Sequence, residues 1–97
     1  MTVLIGSHEF DRVSYDARGD VLYLGRSGAR PCAVTDATPE GHAVQLDADG
    51  AVIGLTVVNA RWLVERDGKL VITIPRRIEA PASDLVAVLS TLGEHGA

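Results

Sequence analysis

Apolar and polar side chains alternate with a period of two through most of this chain, in short runs broken every few residues by Gly, Asp or Pro. Such a pattern specifies half-buried strands joined by tight turns and leaves little length for helices. Val13 and Tyr15 fit a strand within 10–16, and Asp16-Ala17-Arg18-Gly19-Asp20 reads as its turn. Val21-Leu22-Tyr23-Leu24 is apolar at both parities, as expected of a central strand covered on both faces, and the glycines and proline between Gly25 and Pro31 end it. A shorter, more polar strand fits Ala33 to Thr38, stopped by Pro39 and Gly41.

The segments His42–Asp47 and Ala51–Asn59 flank Ala48-Asp49-Gly50, and Val44 and Leu46 share a face with Ile53, Leu55 and Val57, which predicts a hairpin. Gly54 falls at an outward position and signals a bulge or a close backbone approach. A second hairpin is predicted where Trp62–Glu65 and Lys69–Ile74 flank Arg66-Asp67-Gly68, because Asp-Gly supplies the positive φ of a tight turn. Beyond Pro75 and Pro81, Ser83 can cap a helix running from Asp84 to Leu92, with Leu85, Val88, Leu89 and Leu92 on one stripe and Gly93 as its stop. The expected fold class is therefore α+β: a mainly antiparallel sheet of five or six strands built from hairpins, with one C-terminal helix over about 83–92.

With 97 residues, 46% hydrophobic and 23% charged, the chain has the composition of one globular domain spanning 1–97 rather than of a disordered segment. Its single cysteine, Cys32, cannot form an internal disulfide, and no basic leader with an apolar run precedes the first strand. A cytoplasmic location is the expectation. No apolar stretch approaches the roughly 20 residues that span a bilayer, so no membrane association is expected. The net charge of −4 is uneven: residues 1–50 hold four Arg against eight acids, whereas Arg61, Arg66, Lys69, Arg76 and Arg77 face only Glu65 and Asp67 within 61–77. That local excess reads as a solvated rim, and the acidic remainder argues against tight binding of duplex DNA.

Two blocks, Tyr15-Asp16 to Asp20-Val21-Leu22-Tyr23 and Asp47-Ala48-Asp49-Gly50 to Ile53-Gly54-Leu55 ending near Asn59 and Ala60, resemble the domain-of-unknown-function family numbered 2283. The resemblance covers residues 13–60, about half of the chain, and implies a small bacterial-type domain dominated by antiparallel sheet. It names no catalytic residue. Residues 61–97, with the second hairpin and the helix, are then additions to the family-like core.

The familiar chemistries fail on spacing. Asp47-Ala48-Asp49-Gly50 opens like a calcium loop, but Ala51 to Val57 offers only Thr56 as a further oxygen ligand and no Glu follows, so it reads as a hairpin turn. His8, His42 and His95 match no metal-ligand spacing, and His42 reads as a partly exposed strand-end residue. Cys32 lacks a neighbouring Cys or a visible base, no Ser sits in a Gly-x-Ser-x-Gly turn, and Gly25-Arg26-Ser27-Gly28 lacks the rest of a phosphate loop. No catalytic residue, metal or cofactor is assigned. One constellation stands out: Asp16 and Asp20 flanking Tyr23, a carboxylate pair that would need burial to act as an acid and a base.

Three functions follow from these readings. The first is a non-catalytic, self-associating or protein-binding domain, a homo-oligomer formed through a sheet face or edge that one short helix leaves bare, with Tyr23 and Trp62 as contact residues. The second is an antitoxin-like or inhibitor protein whose acidic first half neutralises a basic protein partner. The third is a small-ligand or enzymatic site near Asp16, Asp20 and Tyr23.

Overall fold

Turn residues decide where this chain reverses, and the reversals generate three antiparallel sheets. The computed structural model describes residues 2–73, 77–83, 85 and 88–90. In chain order these form β1 (Val3–Ile5), β2 (His8–Phe10), β3 (Arg12–Asp16), β4 (Val21–Gly25), β5 (Val34–Ala37), β6 (Ala43–Leu46), β7 (Val52–Val58), α1 (Ala60–Asp67), β8 (Lys69–Thr73) and β9 (Arg77–Pro81). A five-stranded sheet runs in the order β3-β4-β7-β6-β5, and β1-β2 and β8-β9 are separate hairpins. The expected antiparallel α+β architecture is present, as are the strands around 13–15, 21–24, 34–37 and the β6-β7 hairpin. Among the described residues no helix is long and apolar enough to cross a membrane.

The β6-β7 turn shows the chemistry behind its sequence. Asp47 Oδ1 accepts the N–H groups of Asp49 and Ala51, both at 2.9 Å, and Gly50 supplies φ 81°. The Asp-rich tetrapeptide thus spends its first carboxylate on its own backbone. Gly54 is a point of close approach, as its spacing suggested: the register slips between Gln45 and Leu46, and a Cβ on Gly54 would lie 2.7 Å from Gln45 Oε1 and 3.3 Å from the Leu24 carbonyl. Because of that bulge Leu46 pairs with Val52, and these two, not Ile53, continue the inner face.

Three expectations need correction. Trp62–Glu65 is not a strand paired with Lys69–Ile74; it lies inside α1, and Gly68 ends that helix with φ 69° and its N–H donated to the Val64 carbonyl at 2.8 Å. Positive φ at a glycine serves a helix terminus as readily as a hairpin turn, and Ala60, Leu63 and Val64 carry the i, i+3, i+4 spacing that favours the former. Strand β8 pairs instead with β9, Ile72 against Ile78. The second correction is that the strand expected within 10–16 is not the first: the β1-β2 hairpin precedes it and places Val3, Ile5 and Phe10 in the core around a Gly6-Ser7 loop with φ 62° at Gly6. Two glycine-turned strands of three residues are too short for their alternation to stand out. Third, β4 is an interior strand but is not covered on both faces: Leu22 and Leu24 are buried while Tyr23 is 46% exposed.

Near the C-terminus Ala82 and Ser83 are already helical, so Ser83 sits inside the first turn rather than ahead of it, and Ala82 N–H donates to the Gly68 carbonyl at 2.9 Å. Leu85, Val88 and Leu89 are buried, as their stripe predicts; Asp84, Leu92 and Gly93 lie outside the described residues, as do Ile74 and Pro75. One core results. Tyr15, Leu22, Leu24, Val44, Leu55 and Val57 line the inner face of the large sheet, and Val3, Ile5, Phe10, Val64, Leu70, Ile72 and the buried C-terminal leucines cover it from the same side.

Candidate functional site

Because successive side chains in a strand point to opposite faces, the register fixes what the other side of the large sheet presents. One row across the strands is Ser14, Tyr23, Thr56, Ala43 and Ala37; the next toward one end is Arg12, Gly25, Gly54, Gln45 and Thr35; at the opposite end lie Asp16, Val21 and Val58. None of these side chains belongs to the hydrophobic core, although the Gly54 backbone is buried with the Gln45 side chain close against it, and Tyr23 and Val58 are 46% and 40% exposed. Small residues dominate the centre. Tyr23 therefore stands among small residues, with Ser14 on β3 and Thr56 on β7 as its cross-strand neighbours.

A shallow basin of about 640 Å³ opens on this face, lined by Arg12, Ser14, Tyr23, Gly25, Arg26 and Arg30 among others. Arg30 is engaged by Asp49, and Arg26 reaches the Val52 carbonyl at 3.5 Å. Among the described residues Arg12 makes no ion pair. The three arginines were not singled out from sequence; residues 12, 14 and 16 share one parity on a strand, and that spacing is the signal that links Arg12 to Tyr23.

The two aspartates of the proposed acid pair are divided between separate tasks. Asp16 shares the open face with Tyr23, and its Oδ1 accepts the Arg18 N–H at 3.1 Å within the turn. Asp20 adopts φ 55° and turns toward α1: its carboxylate accepts the Tyr15 hydroxyl at 2.7 Å, Arg61 N–H at 2.8 Å and Trp62 N–H at 3.1 Å, and its carbonyl accepts Ala60 N–H at 3.0 Å. Burial pushes the Asp20 carboxyl up, but the Tyr15 hydroxyl and the two amides donated to it outweigh burial and hold it below the usual range. Tyr15 moves the other way, to about 12, through burial and then through the bond to the Asp20 carboxylate. Trp62 is 53% exposed on α1, with the Arg66 guanidinium 4.5 Å above its ring.

A second cleft, of about 240 Å³, lies between α1 and β8 and is lined by Glu40, His42, Leu63, Arg66, Lys69 and others. His42 is buried rather than partly exposed, because its ring replaces a missing strand partner: Val58 N–H donates to Nδ1 at 3.1 Å. The ring proton then sits on Nε2, which is buried and has no hydrogen-bond partner among the described residues. Burial holds the imidazole below its ordinary pKa, with the Glu40 charge opposing. Among the described residues no three His, Cys, Asp or Glu side chains converge as a metal set. Comparison with protein-family models, with curated proteins and with solved structures finds no match.

Proposed function

We propose that the protein is a non-catalytic, self-associating domain whose contact surface is the open face of the five-stranded sheet. The observation that carries this reading is one-sided cover: α1, both small hairpins and the buried C-terminal leucines contribute to a core on one side of the sheet, while Tyr23 and Val58 stand exposed on the other. An interior strand with apolar residues at both parities is built to be covered twice. The commitment of Asp20 to the α1 cap supports the non-catalytic part, since it removes one member of the acid pair from Tyr23.

The area sets the strength. Five strands at about 4.8 Å spacing, of four to seven residues and so about 17 Å long on average, give roughly 400 Å² per copy, and a face-to-face pair buries about 800 Å², below the roughly 1,000 Å² of a stable specific interface. Weak association, with a dissociation constant of about 100 micromolar or above, is the expectation. An amide chemical-shift dilution series tests it. Signals from Ser14, Tyr23, Gly25 and Thr56 move with concentration while those of β8 and β9 stay fixed; shifts constant throughout from millimolar to micromolar protein refute the reading.

A further inference from the structure

We infer that the occupant of this face is a second copy in one particular register, related by a two-fold axis that lies between the sheets, crosses the strands along the Ser14-Tyr23-Thr56 row, and sets Arg12 of each copy against Asp16 of the other. The inference rests on the self-association reading above and adds the register to it. Three features on β3 and β4 carry it. Arg12 and Asp16 lie on the same face at equal distances on either side of Ser14, four residues apart on one strand. Their Cα atoms are therefore about 13 Å apart, too far for the two to pair within one chain. Among the described residues neither is in an ion pair.

A two-fold axis across the strands at Ser14 reverses β3 against its own copy, so the position of Arg12 falls opposite Asp16 twice per interface. The same operation sets Val21 over Gly25, since Val21 pairs with Asp16 and Gly25 with Arg12. At Gly25 a Cβ would meet only Arg12 Cβ, at 3.7 Å, so the backbone there leaves a recess for the valine methyls. Tyr23 meets Tyr23 near the axis. Aligned sheets cross at about 30°, which displaces a strand next to the crossing point by a few Å, within the reach of an arginine side chain. An axis parallel to the strands would instead place Arg12 opposite the uncharged Thr35 and Gln45 row, and pairing through the β5 edge would leave Arg12 and Asp16 unmatched. Pairing through the β3 edge also sets Arg12 against Asp16, but it would leave Tyr23 in solvent and so be indifferent to Tyr23→Lys.

Charge reversal tests the register. Arg12→Glu, Asp16→Arg and the double variant are compared with the natural protein by sedimentation equilibrium, with Tyr23→Lys as the face control and thermal melts to confirm folding. Each single reversal creates two like-charge contacts and weakens the dimer by about tenfold or more, and the double variant returns to within about threefold of the natural affinity. Net charge gives the opposite ordering: Asp16→Arg reduces the repulsion of a chain carrying −4 and would strengthen association if overall charge governed it. If Tyr23→Lys dissociates the dimer but Asp16→Arg tightens it, or the double variant shows no recovery, the register is wrong and self-association through the face stands. A natural protein that is monomeric throughout, or a dimer indifferent to Tyr23→Lys, overturns both.

Discussion

Asp20 caps a helix that begins forty residues further along the chain: its Oδ1 accepts the Arg61 N–H at 2.8 Å. The residue that occupies the N-cap position, Asn59, is left-handed at φ 58° and makes no side-chain capping bond, so α1 takes its cap from the β3-β4 turn. This ties the edge of the large sheet to the layer that covers its inner face. The Tyr15 hydroxyl completes the junction from β3.

Replacing Asp20 by Ala removes the acceptor for two helix N–H groups and for a buried phenol, and lowers stability by about 2–3 kcal/mol. Asp20→Asn keeps an acceptor oxygen and loses about half as much. Urea denaturation of the two variants checks the order; equal costs would mean that the charge, not the bonding pattern, holds the junction.

Acid lowers stability in two stages. His42 has a folded pKa below its unfolded value of 6.5, so between those two values the unfolded chain binds more protons than the folded one. Its contribution is complete above about pH 6.5 and falls by up to about 1.4 kcal/mol per pH unit as pH drops toward the folded pKa. Asp20, also depressed, is lost later, as pH falls through its folded value. In His42→Asn the amide oxygen can still accept the Val58 N–H, and the first stage disappears while the second remains. Denaturation midpoints from pH 8 to pH 3 read this directly, and an unchanged slope near pH 6 in the variant would assign it elsewhere.

Gly68 ends α1 with φ 69°, and a Cβ placed there meets no atom within 4 Å. Gly68→Ala therefore costs only the left-handed backbone, about 1 kcal/mol, without a clash. A loss above about 3 kcal/mol in thermal unfolding would show that Gly68 does more than stop the helix.

What the sequence made legible follows the same logic. The turns at 16–20 and 47–50 were readable because Asp and Gly act locally there, and the strands they join were placed correctly. The α1 segment was not, because Asp67-Gly68 fits two geometries and the deciding cap, Asp20, is distant in sequence. The alternation of β4 revealed a second apolar parity, yet the pairing that surrounds Tyr23 with Ser14 and Thr56 depends on strand order, which no local pattern encodes. Asp16, Asp20 and Tyr23 were close in sequence, and it is the φ of 55° at Asp20 that turns the second acid away.

Light scattering coupled to size exclusion tests the central claim most directly. Across a micromolar to millimolar series the natural chain moves from its own mass of 10.3 kDa to twice that mass, and Tyr23→Lys holds it at the lower value. A natural protein that stays at 10.3 kDa throughout, or a Tyr23→Lys variant that associates as the natural chain does, contradicts the claim that the open sheet face is the contact surface.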